Sequence, residues 1–96
     1  MGRRSIERRL RQTSTRLRSL RDELRVIDEQ LVQLRDEADD MGVRALVAET
    51  SGAGIEHRHA QGHADAMAKH RSHVVAEIAD LEAKQDELLD ALTAGE

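Results

Sequence analysis

A run of apolar and small residues at alternating steps of four and three constrains this chain more than any other feature. It passes through Ile6, Leu10, Thr13, Leu17, Leu20, Leu24, Ile27, Leu31, Leu34, Ala38, Met41, Ala45 and Ala48. About six heptads in one register put these side chains along one edge of a long helix, and that edge must pack against another helix. A second seam follows: His57, Ala60, Ala64, Met67, Arg71, Val74, Ile78, Leu81, Gln85, Leu88 and Leu92, widened to one side by Val75 and Leu89. Between the two, Thr50-Ser51-Gly52-Ala53-Gly54 is the only turn-like cluster.

Two seams of nearly equal length joined by a short Gly-containing turn predict an all-α fold, an antiparallel two-helix hairpin (coiled coil). Residues 1–96 are expected to form one helical-hairpin domain, with helix 1 at about 5–49, the turn at about 50–54 and helix 2 at about 55–93. Residues 1–5 are expected to fray, with Ser5 as a helix cap. Gly42 and Gly62 fall inside the helices, where each weakens its helix by about 1 kcal/mol relative to Ala. The reversal itself is assigned to Gly52 and Gly54, which admit positive φ.

Charge supports the antiparallel pairing. The net charge of −4 resolves into +6 over residues 1–25, −5 over 26–54, +1 over 55–73 and −6 over 74–96. A hairpin sets the basic start beside the acidic end. Residue i then lies near residue 103 − i, give or take half a turn, so that Leu10 meets Leu92, Leu24 meets Ile78 and Leu81, and Ala38 meets Ala64 and Met67. The leucine end, residues 6–34 with 67–92, is expected to be the stable core, and the Ala- and His-rich turn end to open first. Leu10, Leu17, Leu24, Leu31, Ile78 and Leu81 form the expected core. Val75 and Leu89 are left on an exposed flank that a second hairpin would cover, giving a homodimeric four-helix bundle or a higher homo-oligomer.

A parallel leucine zipper through Leu10, Leu17, Leu24 and Leu31 fits less well. Its flanking positions would pair Arg16 with Arg21 and Glu23 with Asp28, which are like charges. The basic arm ahead of Leu10 is also too short to fork across a major groove.

Composition narrows the function classes. Charged residues make up 35% of the chain, and aromatic residues, Pro and Cys are absent. Base stacking on aromatic platforms and thiolate chemistry are therefore unavailable. There is no apolar run of membrane-spanning length and no signal-peptide pattern, so a cytoplasmic protein is expected. Nothing resembles a catalytic triad or a phosphate-cradling loop, and neither an enzyme nor a small-molecule substrate is expected. Arg71 and Gln85, polar residues on the second seam, read as layers that set the pairing register.

Two clusters remain. His59, His63, His70 and His73 form one stripe, with Glu56 before it. The i,i+4 pair His59/His63 with Glu56 is a candidate site for Zn, Ni or Fe, because two imidazoles at that spacing can reach one ion. By heptad position the stripe lies beside the core, where solvated imidazoles are the simpler reading, and the same cluster could sense pH. Glu56-x-x-His59 matches the Glu-x-x-His element of ferritin-like bundles, and in length and plan the chain resembles small encapsulated ferritins. That resemblance implies inward-facing Glu residues upstream. Glu23 and Glu29 flank the seam instead. The chain is also similar in size and plan to small WXG-type secreted dimers of actinobacteria, although its turn has no Trp.

The second cluster is the Arg-rich start. Arg4, Arg8, Arg11, Arg18 and Arg25 are candidate phosphate contacts for nucleic acid. Pairing of the N-terminal arginines with Glu82, Asp86, Glu87 and Asp90 is the simpler alternative, and Arg11, Arg18 and Arg25 on the outer face cannot all be satisfied that way. Taken together, these features predict a non-enzymatic structural or adaptor protein acting through self-association and contacts with a protein partner. A nucleic-acid-associated protein is the alternative, and a metal-binding or ferritin-like bundle the third reading.

Overall fold

A computed structural model describes residues 2–95 of the chain. Two helices account for nearly all of them: α1, Arg3–Ala48, and α2, Ser51–Ala94. No strand occurs among the described residues. This is the all-helical arrangement of a helical hairpin. The expected fraying at residues 1–5 is limited, since α1 already includes Arg3, where Nε donates to Glu7 Oε1 at 3.1 Å. Met1 lies outside the described residues, as does Glu96.

The chain divides into two compact units, one built from its ends (Met1–Leu24 with His73–Glu96) and one from its middle (Arg25–Ser72). In the unit of the chain ends, Ile6, Leu17 and Leu20 of α1 are buried with Val74, Ile78 and Leu88 of α2. Leu17 and Leu20 are each only 1% exposed. Thr13 is the one buried polar side chain there among the described residues. Leu10, Leu81 and Leu92 are half-buried in the same unit.

The middle unit is poorer in large apolar groups. Its buried side chains are Ile27, Leu31, Ala38 and Ala64. Leu24, the last residue of the other unit's α1 segment, is half-buried, as are Leu34, Met41, Ala60 and Met67 here. An alanine removes less apolar surface from water than a leucine, at about 0.8 kcal/mol per missing CH₂. The seam continues toward the turn, but its stabilising content falls.

The turn differs from the expectation of a glycine reversal over 50–54. Only Glu49 and Thr50 separate the helices, and Ser51–Gly54 form the first turn of α2. The left-handed conformation falls on Glu49, with φ of 52°, and no glycine among the described residues has positive φ. The cause is local capping. Ala53 N–H donates to Thr50 Oγ1 at 3.2 Å, and Gly54 N–H donates to the Thr50 carbonyl at 3.2 Å. Thr50 thus satisfies an otherwise orphaned donor and starts the helix at once. The capping outweighs the weak helix propensity of Gly52 and Gly54.

The expected register is also corrected. Ser14 meets Gln85 and Asp28 meets Arg71 by hydrogen bonds, and Gly42 lies against the His57 ring. In each pair the residue numbers add to 99, about one helical turn short of the expected 103. Ile6, not Leu10, shares a hollow with Leu92. At 103 − i the partners of Ser14 and Asp28 would be Leu89 and Val75, which offer no hydrogen bond. The observed register gives both polar groups one. It also lets Gly42, which has no side chain, receive an imidazole.

Candidate functional site

A short polar contact joins the helices in the middle unit. Arg71 Nε donates to Asp28 Oδ1 at 2.6 Å, with both side chains part-buried. The hydrogen bond to Asp28, and then its charge, raise the Arg71 pKa above its ordinary value, against a small opposing effect of desolvation. In the unit of the chain ends, Gln85 Nε2 donates to Ser14 Oγ at 3.1 Å. Both polar residues of the second seam therefore reach across to α1.

The opposite charge blocks do meet. Arg16 donates from Nη2 and Nε to Glu77 Oε1, at 3.0 and 3.3 Å, and Arg21 lies 4.0 Å from Glu82. These side chains are about half exposed, so each pair contributes no more than about 1 kcal/mol and is screened by salt. Of the four acids expected to pair with the N-terminal arginines, only Glu82 lies near an arginine of α1, and that is Arg21; Asp86, Glu87 and Asp90 have no ion pair among the described residues, and Arg16 meets Glu77, which the sequence did not single out.

Other arginines of the start remain in solvent. Arg4, Arg11 and Arg18 are exposed and stand one heptad apart on α1. None of the three has an ion-pair partner among the described residues. Arg8 donates to Ser5 Oγ at 3.4 Å. Arg25 is exposed in the middle unit.

The histidine stripe is exposed throughout, at His59, His63, His70 and His73. Glu56, His59 and His63 line one open hollow with Glu37, over a floor that includes Leu34, Met41 and Ala60. A neighbouring hollow takes in His63, His70, Glu37 and Met67. Sharing a hollow is not the same as converging on one point. Among the described residues, no three His, Asp or Glu side chains are grouped so that they could hold a metal ion. His57, on the seam, is half-buried against Gly42.

Val75 and Leu89 lie two heptads apart on α2, 40% and 46% exposed. The sequence pattern missed a second apolar exposure, at the turn end. Val43, Leu46, Val47 and Ile55 are 61%, 79%, 82% and 45% exposed. For Val43, Leu46 and Val47 the available signal was their position off the seam, between Met41, Ala45 and Ala48, where a solvated helix face carries polar residues. No helix among the described residues is long and apolar enough to cross a membrane.

Comparison with protein families, with curated proteins and with solved structures finds no match to this chain.

Proposed function

We propose that this chain is a non-enzymatic coiled-coil structural or adaptor protein that acts through self-association and protein–protein contacts. The observation that carries the reading is the apolar flank at Val75 and Leu89. Each is 40–46% exposed beside a seam where Leu17 and Leu20 are 1% exposed. Two apolar residues two heptads apart on one helix face, with Glu82 midway between them, mark an edge along which another helix can pack. A second copy covering that flank makes a four-helix bundle from two hairpins. Sedimentation equilibrium tests this. Val75→Asp/Leu89→Asp should weaken association at least tenfold, and a wild-type chain that stays monomeric up to about 1 mM sinks the reading.

A second reading is favoured by Arg4, Arg11 and Arg18, which stand exposed at heptad spacing without acidic partners. Unpaired guanidinium groups are available for phosphate, and nucleic acid is the polyanion of choice. Three phosphate contacts give a slope of about −2.7 for log K against log[salt] on duplex DNA. Replacing all three by Gln should abolish binding, and the absence of a gel shift in low salt would rule it out.

A further inference from the structure

In the unit of the chain ends, the side of α1 that faces away from its seam has an unusually uniform chemistry. Arg4, Arg8, Arg11 and Arg18 follow one another there at steps of four, three and seven, all exposed. Among them stand Gln12, Thr15 and Ser19, also exposed, and Ser5, whose Oγ accepts from Arg8. From residue 4 to residue 19 this face carries no carboxylate and no large apolar side chain. The acids lie elsewhere. Glu7 flanks the seam and accepts from Arg3, and Asp86, Glu87 and Asp90 are exposed on α2. A face that serves solubility alone intersperses both signs, as Asp22, Arg25 and Glu29 do further along α1.

We infer that this acid-free face docks on the sugar–phosphate backbone of duplex DNA, without sequence preference and ahead of single strands. The inference rests on the nucleic-acid reading above and names which nucleic acid that face takes. Arg together with Ser, Thr and Gln is the side-chain set that bonds to phosphate oxygens. Sequence-tolerant binding of single strands relies on aromatic side chains on which bases stack, and this chain has none. A single strand must also be ordered along a straight helix, at an entropic cost, whereas a duplex is already stiff over the length involved. That length is about 22 Å of helix.

Spacing favours the B form. Arginines one heptad apart stand about 10.5 Å from each other along α1. The minor groove of B-form DNA is about 6 Å wide, which sets facing phosphate centres roughly 12 Å apart once their own radii are added. The wide minor groove of duplex RNA sets them further apart. Base readout is blocked by the second helix of the same unit: Asp86, Glu87 and Asp90 repel phosphate and keep α1 from sinking into the major groove. An anionic membrane fits less well. A helix lying in a lipid surface buries an apolar face, and the apolar edge of α1 is already covered, with Leu17 and Leu20 each 1% exposed.

The test is fluorescence anisotropy of the full chain in about 50 mM salt. The probes are two DNA duplexes of unrelated sequence, one of their single strands, the RNA duplex of matching sequence, and vesicles of phosphatidylglycerol with phosphatidylcholine. The two DNA duplexes should bind within twofold of each other, at least tenfold tighter than the single strand and at least threefold tighter than the RNA duplex. Gln12→Glu/Ser19→Glu puts two carboxylates on the face without touching an arginine, and should weaken duplex binding at least tenfold. Ala76→Glu/Ala83→Glu makes the same change of charge at exposed positions of α2 and should weaken it no more than threefold, with helicity by circular dichroism retained in both variants. Equal or tighter binding of the single strand or of the RNA duplex overturns the inference and leaves the nucleic-acid reading standing. Equal losses in the two variants overturn it as well, because net charge and not this face would then govern binding. Tighter binding to the vesicles than to any nucleic acid overturns it too, and no binding to any nucleic acid sinks both readings.

Discussion

Replacing Gly62 by Ala should stabilise the protein by about 1 kcal/mol, whereas the same replacement at Gly42 should gain clearly less. Both glycines lie inside helices, and both incur the same backbone entropy. Their surroundings differ. A Cβ built at Gly62 meets nothing within 4 Å, while one at Gly42 comes to 3.1 Å from His57 Nε2 and 3.4 Å from its Cε1. At Gly62 the full propensity gain is available, equivalent to a rise in Tm of about 4–8 °C for a domain of this size. At Gly42 the imidazole must retreat by a few tenths of an ångström or leave the seam, which offsets part of that gain. The assay is thermal and urea unfolding followed by circular dichroism. Gly42→Ala is made alone, with His57→Ala, and beside Gly62→Ala. In the His57→Ala background the gain from Gly42→Ala should recover to about 1 kcal/mol, a coupling of at least about 0.5 kcal/mol. Coupling to His57 also reports the register, because a pairing at 103 − i sets Gly42 opposite Gln61. Equal gains at Gly42 and Gly62 with His57 present would refute the packing and the register together.

Three further outcomes follow from burial and capping. Leu20→Ala removes a side chain that is 1% exposed and should cost about 3 kcal/mol in urea unfolding, whereas Leu46→Ala, at 79% exposed, should change stability little. Comparable losses at the two sites would mean that the assigned core is wrong. Glu49→Gly relieves a left-handed conformation in a residue with a Cβ, with φ of 52°, and should raise stability by about 0.5–1 kcal/mol in the same assay. Thr50→Ala removes the acceptor for Ala53 N–H and should lower stability by about 1 kcal/mol, with Thr50→Ser close to wild type.

The heptad spacing alone determined that this chain makes two long helices and which edge of each is apolar. A periodic seam is local information: Leu17, Leu20, Ile27, Leu31, Val74 and Ile78 are buried because each recurs on one helix face, and no distant contact is needed to predict it. The charge blocks added the antiparallel sense, and Arg16–Glu77 and Arg21–Glu82 are its visible result. Arg71 and Gln85 were legible as polar seam positions, but their partners Asp28 and Ser14 were not.

Axial register was beyond the sequence pattern because a seam slid by one turn still meets apolar with apolar. Individual fits decided it, an arginine finding a carboxylate and an imidazole finding the space left by a glycine. The turn was decided by tertiary detail of the same kind, since Thr50 capped α2 at once and left the left-handed step to Glu49. The metal reading rested on His59, His63 and Glu56 at helical spacing, and spacing places side chains on a face without making them converge. The exposed turn end was legible in part: Val43, Leu46 and Val47 fall off the seam of Met41, Ala45 and Ala48, and their exposure of 61%, 79% and 82% follows from that placement on the helix.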